Sequence, residues 1–160
     1  MAASDKTQNI GSTDDEATAT CFCGAVQMAF PTWGPGYMGS FLCHCLDCHK
    51  ITSSMFSSGF CIDGKYIKHT RGQSDLKTVS RTESIASGNT VTNYSCSTCG
   101  TLMYRLSTGF PGLYALRIGT VDDVTLMETK LKPTVEQFTT SRVAYLKGVE
   151  GMKQVEGNSF

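Results

Sequence analysis

The sequence predicts a mostly β fold of short strands and many turns, with few or no helices. Three observations carry this. Ser and Thr are abundant and Gly supplies 16 of the 160 residues, a composition that suits strands and turns better than the Ala, Leu, Glu and Lys of helix-rich chains. The apolar stretches are short and bounded by Gly, Pro and Asn. Seven of the eight cysteines fall in three tight groups next to such turns. The length is that of one domain, and 40% apolar residues can sustain a core.

In chain order, residues 1–19 are polar, small and acidic and read as a flexible tail, with the domain proper at 20–157. Residues 21–30 read as a turn followed by a strand, which Pro31, Gly34, Pro35 and Gly36 interrupt. Residues 38–42 read as a short strand entering Cys43-His44-Cys45-Leu46-Asp47-Cys48-His49-Lys50. Residues 65–70 and 76–82 alternate weakly, as exposed strands do. Gly88 and Asn89 mark a turn, and 90–96 and 101–106 read as two strands on either side of Cys96-Ser97-Thr98-Cys99-Gly100. Residues 113–119 form another apolar strand, followed by a turn at Asp122-Asp123. Residues 136–146 suit a strand or a short helix, and 147–160 read as loop or tail.

Charge and hydropathy exclude several classes. Fourteen basic residues balance fourteen acidic ones, so the basic excess of a nucleic-acid binder is absent. No apolar run approaches the ~18 residues of a spanning helix. Residues 1–19 lack the basic and apolar regions of a secretory leader. The expected compartment is therefore reducing and cytoplasmic, where clustered cysteines are metal ligands more often than disulfides.

The groups are Cys21-x-Cys23-Gly24, Cys43-x-Cys45-x-x-Cys48 and Cys96-x-x-Cys99-Gly100, with Cys61 apart. Short spacings aim several thiolates at one point. A Gly after the second ligand allows the positive φ that brings backbone amides towards the sulfurs. The two Gly-terminated pairs together make a closed four-cysteine zinc site. The central group supplies three thiolates, and a zinc with three protein ligands keeps an open position. Cys61, His44 or His49 closing that position, redox-active cysteines and an iron–sulfur cluster are the alternatives from spacing alone.

The order C-x-C-G, C-H-C-x-x-C with a following basic residue, and C-x-x-C-G-T resembles the glutathione-dependent formaldehyde-activating family, which shares its domain with centromere protein V. Residues 94–104, the Gly119-Thr120-Val121-Asp122-Asp123 turn, Lys132-Pro133 and residues 142–146 extend the resemblance over roughly 18–157. It departs at His49, where Arg or Gln is common, and at Tyr145, where Trp is usual. The resemblance implies a β-tent fold of small antiparallel sheets and two zinc ions per chain. Cys21, Cys23, Cys96 and Cys99 would hold a structural zinc, and Cys43, Cys45 and Cys48 a catalytic one. It also implies a carbon–sulfur lyase that makes or breaks a C–S bond in a glutathione adduct, either S-hydroxymethylglutathione or a larger conjugate.

Glutathione, as substrate or co-substrate, brings carboxylates that need cationic partners. Lys50 and Arg105 are the candidates nearest the motifs. His49 is the candidate proton shuttle, with Lys50 beside it in the catalytic group, and Asp47 a residue that could orient His49. His44, between two ligands, is expected to point outward, Cys61 to be a small buried residue, and Asp122 and Asp123 to form a turn. Trp33, Phe56, Phe60 and Phe110 are candidate pocket walls. The expected partner is a small glutathione-type molecule, with neither nucleic acid nor membrane, and a homodimer is allowed. The alternative function is a noncatalytic, zinc-stapled protein-binding module.

Overall fold

The computed structural model describes residues 12–82 and 88–159. Two sheets dominate it. The smaller contains β1 (Glu16–Thr20), β2 (Gln27–Pro31) and β5 (Lys68–Arg71), in the order β1-β2-β5. The larger contains β3 (Tyr37–Cys43), β4 (Ser57–Asp63), β6 (Leu76–Arg81), β7 (Val91–Cys96), β8 (Leu102–Ser107), β9 (Leu113–Arg117), β10 (Val135–Gln137) and β11 (Lys153–Gln154). Its order is β11-β10-β3-β4-β9-β8-β7-β6. Neighbours are antiparallel except at one end, where β10 runs parallel to both β3 and β11. Two short α-helices, α1 (Leu46–Thr52) and α2 (Thr125–Glu128), and four 3-10 turns complete the regular structure of the described residues. The mostly β expectation holds.

Ordered structure starts earlier than the expected boundary at residue 20. Glu16–Thr20 is a strand, because Ala17 and Ala19 are almost fully buried opposite Phe30 and Met28. Two small side chains facing two large ones fill that space without a void. The hydroxyls of Thr18 and Thr20 both donate to the Asp122 carboxylate, 2.5 and 2.7 Å away. The acidic tone of the segment concealed this strand. The first eleven residues of the expected tail lie outside the described residues.

Side chains alternate between the two faces of a strand, and here each face of the large sheet has its own core. On the inner face, Phe60, Ile62, Tyr104 and Leu116 pack with Met28 and Phe30 of the small sheet. The Phe30 and Phe60 rings meet at 4.8 Å between centroids, and Tyr94 stacks on its cross-strand partner Tyr104 at 4.4 Å. Burying each such large side chain is worth roughly 1.5–3 kcal/mol. On the outer face, Phe41, Cys43, Cys61 and Val135 form a second cluster with Cys48 of α1. The outer face carries the chemistry.

Residues 136–146 contain the end of a strand and a 3-10 turn at Thr139–Ser141, and the expected C-terminal loop holds β11. Glu136, almost fully buried, secures this region. It accepts from Arg142 Nη1 at 2.6 Å, from the Val149 amide, and pairs with His44 Nε2 at 2.9 Å. Burial pushes the Glu136 pKa up, but the Val149 amide, Arg142 and His44 together hold it below the usual value.

Candidate metal centres

Two turns that end in Gly build the first cluster. The β1–β2 turn carries Cys21 and Cys23, and the β7–β8 turn carries Cys96 and Cys99. Each closes on the carbonyl of its first cysteine: the Gly24 amide donates to Cys21, three residues back, and the Gly100 amide to Cys96, four residues back, both at 2.9 Å. Gly24 and Gly100 have φ of +79° and +78°, and a Cβ on either would meet nothing within 4 Å. Glycine is required there for its backbone conformation, not for space.

The four sulfurs lie within 4.8 Å of one another. Cys21 and Cys23 are separated by 3.6 Å and Cys23 and Cys96 by 3.8 Å. A tetrahedral ion with Zn–S bonds of ~2.3 Å places its sulfurs about 3.8 Å apart, so the donor set fits zinc. The Val26 amide donates to Cys21 Sγ at 3.2 Å. The Thr101 hydroxyl and amide hold the Cys99 thiol down to about 5. The Ala25 amide lowers the Cys23 pKa, but loss of hydration and the crowding sulfurs of Cys99, Cys21 and Cys96 take it up to about 11. Four thiolates this close repel one another, and a divalent cation relieves that repulsion.

The second cluster lies in the connection from β3 through α1 to β4. Cys43 ends β3, Cys45 is the N-cap of α1, and Cys48 is in its first turns. The Cys45 sulfur accepts the Cys48 amide at 3.4 Å. The three sulfurs lie within 4.8 Å of one another, which satisfies three corners of a tetrahedron. Among the described residues, none of the side chains considered for the fourth corner joins them. Cys61 is buried in the same outer-face core but outside the three-sulfur group, and burial pushes its thiol up to about 12. His44 does not point outward as expected: it is buried, with Nε2 on Glu136. His49 is absent from the cluster, and its Nε2 is buried without a hydrogen-bond partner.

Two arginines flank these sulfurs. Arg105 Nη1 donates to Cys48 Sγ at 3.7 Å, while its Nε is held by Asn93 Oδ1 at 2.9 Å. Arg117, 6% exposed, donates to Ser57 Oγ at 3.2 Å. Hydrogen bonds from Cys43 and Cys45, then the charges of Arg105 and Arg117, hold the Cys48 thiol far below the thiol range. The neighbouring sulfurs of Cys45 and Cys48, and then burial, push Cys43 far above it.

A hollow lies on each side of α1, with Ile51 shared between them. One, of about 180 Å³, is lined by Asp47, Lys50, Arg81, Asn93 and Arg105 among others. The other, of about 430 Å³, is lined by Phe56, Ser57, Arg117 and Thr120 among others. Lys50 and Arg105, both sequence candidates, thus meet in one hollow. Of the expected aromatic walls, Phe56 lines one of these two hollows. Phe60 is inner core, Trp33 is exposed with Nε1 on Asp15, and Phe110 is a partly exposed residue elsewhere. Asp122 anchors β1, and Asp123 caps the turn into α2 by accepting from the Thr125 amide and hydroxyl.

Sequence reasoning missed Arg81, Asn93, Arg117 and Glu136. Arg117 carried a signal: a charge at the end of the apolar strand Leu-Tyr-Ala-Leu-Arg is costly to bury and needs a reason.

Strands arranged around one cluster of four cysteines and one of three define a class of mostly β cysteine-cluster proteins with two candidate metal centres. A family model described as "Glutathione-dependent formaldehyde-activating enzyme" matches residues 16–141, and the chain belongs to that family. Its fold is similar to the crystal structure of a Rhodobacter sphaeroides protein. That likeness has a TM-score of 0.50 and 17% identity, covering 67% of this chain and 89% of the other. No curated protein matches the chain. Among the described residues, no helix is long and apolar enough to cross a membrane.

Proposed function

We propose that the protein is a zinc-dependent carbon–sulfur lyase acting on glutathione or a glutathione adduct. The observation that carries this reading is the three-cysteine cluster with Arg105 on its Cys48 sulfur and a cationic hollow beside it. The four-cysteine cluster would hold a structural zinc. A zinc ion on Cys43, Cys45 and Cys48 supplies Lewis acidity and a place for an outside sulfur.

The chain's own residues divide the remaining work. Lys50, Arg81 and Arg105 offer three cations to the carboxylates of a glutathione-type molecule. Asn93 fixes the Arg105 fork so that it serves the sulfur and the ligand together. His49 would take the proton released when the substrate thiol ionises and return it to the nascent alkoxide, which requires its buried Nε2, lining neither hollow, to turn towards one of them. In the synthetic direction the thiolate sulfur bonds to the formaldehyde carbon, the C=O π pair moves to oxygen, and the proton ends there. The reverse reaction removes that proton and breaks the C–S bond.

The test follows carbon-13 formaldehyde exchange with S-hydroxymethylglutathione by NMR, together with metal content. Wild type is expected to accelerate exchange and carry two zinc equivalents. Cys45→Ser should abolish the acceleration and lose one equivalent while keeping the fold, whereas Cys99→Ser should unfold the domain. A two-zinc protein that leaves the exchange rate at its uncatalysed value, with formaldehyde and with larger glutathione conjugates alike, would refute the lyase.

A further inference from the structure

We propose that Arg117 is the resident counter-charge of the three-cysteine centre, and that with Arg105 it sets that centre to take an anionic sulfur as its fourth ligand. The inference rests on a metal occupying that cluster, as proposed above.

The ladder register locates the guanidinium. Arg117 on β9 is opposite Gly59 on β4, and Gly59 is opposite Phe41 on β3. Cys43 lies two residues beyond Phe41, so it shares the outer face with Arg117. Gly59 has no side chain, and a Cβ there would meet the Phe41 ring at 2.8 Å. Ser57, which accepts from Arg117 Nη1, is the direct cross-strand partner of Cys43. The arginine head is therefore tethered beside the first of the three sulfurs.

Its surroundings otherwise leave it unsatisfied. Nε and Nη2 are buried without a hydrogen-bond partner. Among the described residues, no carboxylate forms an ion pair with it. A guanidinium remains charged in proteins, and a buried charge without a partner is strongly destabilising. The negative groups acting on it are Cys48, Cys43 and Cys45, while Arg105 opposes it as a like charge. Two cations this close are tolerated only around an anion.

Formal charge then selects the ligand. Three thiolates on a divalent zinc leave one net negative charge, against two arginine charges. A fourth thiolate makes the centre doubly negative and the assembly neutral. A neutral ligand leaves one positive charge buried and uncompensated. In a poorly hydrated site that difference is large.

The test uses cobalt(II)-loaded protein at fixed pH. It is titrated separately with 2-mercaptoethanol, a thiol without carboxylates, and with imidazole, a neutral ligand. Charge-transfer and ligand-field absorption report binding. Wild type is expected to bind the thiol in preference to imidazole. Arg117→Met should weaken thiol binding roughly tenfold or more with little change for imidazole, and Arg117→Lys should retain the preference. Equal weakening for both ligands, unchanged thiol binding in the Met variant, or a Lys variant that behaves like Met would overturn the proposal. If the Met variant does not fold, wild-type preference for imidazole overturns it alone. Absence of the second metal equivalent would instead defeat the metal reading beneath it. A carboxylate-free thiol keeps the outcome separate from whether glutathione is the substrate.

Discussion

Gly100 shows how much of a metal turn is decided by one residue's backbone. Its φ is +78° with open space around the missing side chain, so Gly100→Ala introduces left-handed strain of about 1–2 kcal/mol and no clash. The expected result is a lower Tm and weaker metal retention against a chelator, checked by thermal denaturation with and without it. Glu136 gives a second prediction at this scale. Its folded pKa is below the ordinary 4.5, so its stabilising contribution is complete above that value and is lost as pH falls through the folded pKa. Glu136→Gln should lower stability near neutral pH and show a shallower acid limb. Urea unfolding from neutral pH down to about pH 3, at equal metal content, would show it; parallel acid limbs would contradict the assignment. These two residues differed in legibility. The glycine could be read from its place after a cysteine pair. The glutamate could not, because its buried partner His44 lies 92 positions away in the chain.

At the level of elements, α1 departs most from what the sequence suggested. Leu-Asp-Cys-His-Lys-Ile-Thr is too short to display a helical period, and its N-cap is Cys45, not the usual Ser, Thr, Asp or Asn. The metal-ligand spacing was plain, while the helix that separates the ligands was hidden beneath it. The helix ends on Ser53 in the left-handed conformation at φ 52°, with its amide on the His49 and Lys50 carbonyls. Ser53→Gly removes the side-chain penalty but adds unfolded-chain entropy, for a net gain of about 0.5 kcal/mol. Denaturant midpoints would measure it, and a loss of stability would show that the Ser53 side chain contributes more than the strain costs. The strands were more legible, because β7, β8 and β9 carry apolar residues between clear turns. The short β10 was obscured by buried polar residues, since Glu136 and Gln137 occupy positions where apolar ones are expected, and β11 is two exposed polar residues, too few to show a period.

Across the whole molecule, the two cysteine clusters differ in what they join. The four-cysteine cluster ties a turn of the small sheet to a turn of the large one, with Cys23 and Cys96 separated by 73 positions. The three-cysteine cluster spans a single connection. Metal removal is therefore expected in two stages. Partial chelation should empty the three-cysteine cluster with the fold retained, and complete chelation should unfold the chain, as followed by circular dichroism and metal release. Simultaneous loss of both metals and of structure would argue against separate roles. The sequence revealed both cysteine clusters and Arg105 but not Arg117, which cross-strand register brings to the side of Cys43. The parallel seam of β10 on β3 also bears on the order of assembly. Its pairing spans a long separation, as the His44–Glu136 contact across 92 positions illustrates, whereas Cys43 to Cys48 and β4 are neighbours in the chain. Nearby contacts close sooner than distant ones, so the thiols gather before the C-terminal strands cover their flank. A refolding chain should accordingly acquire its second ion faster than folded protein emptied only at the three-cysteine cluster does, a difference that stopped-flow mixing with a zinc indicator would reveal.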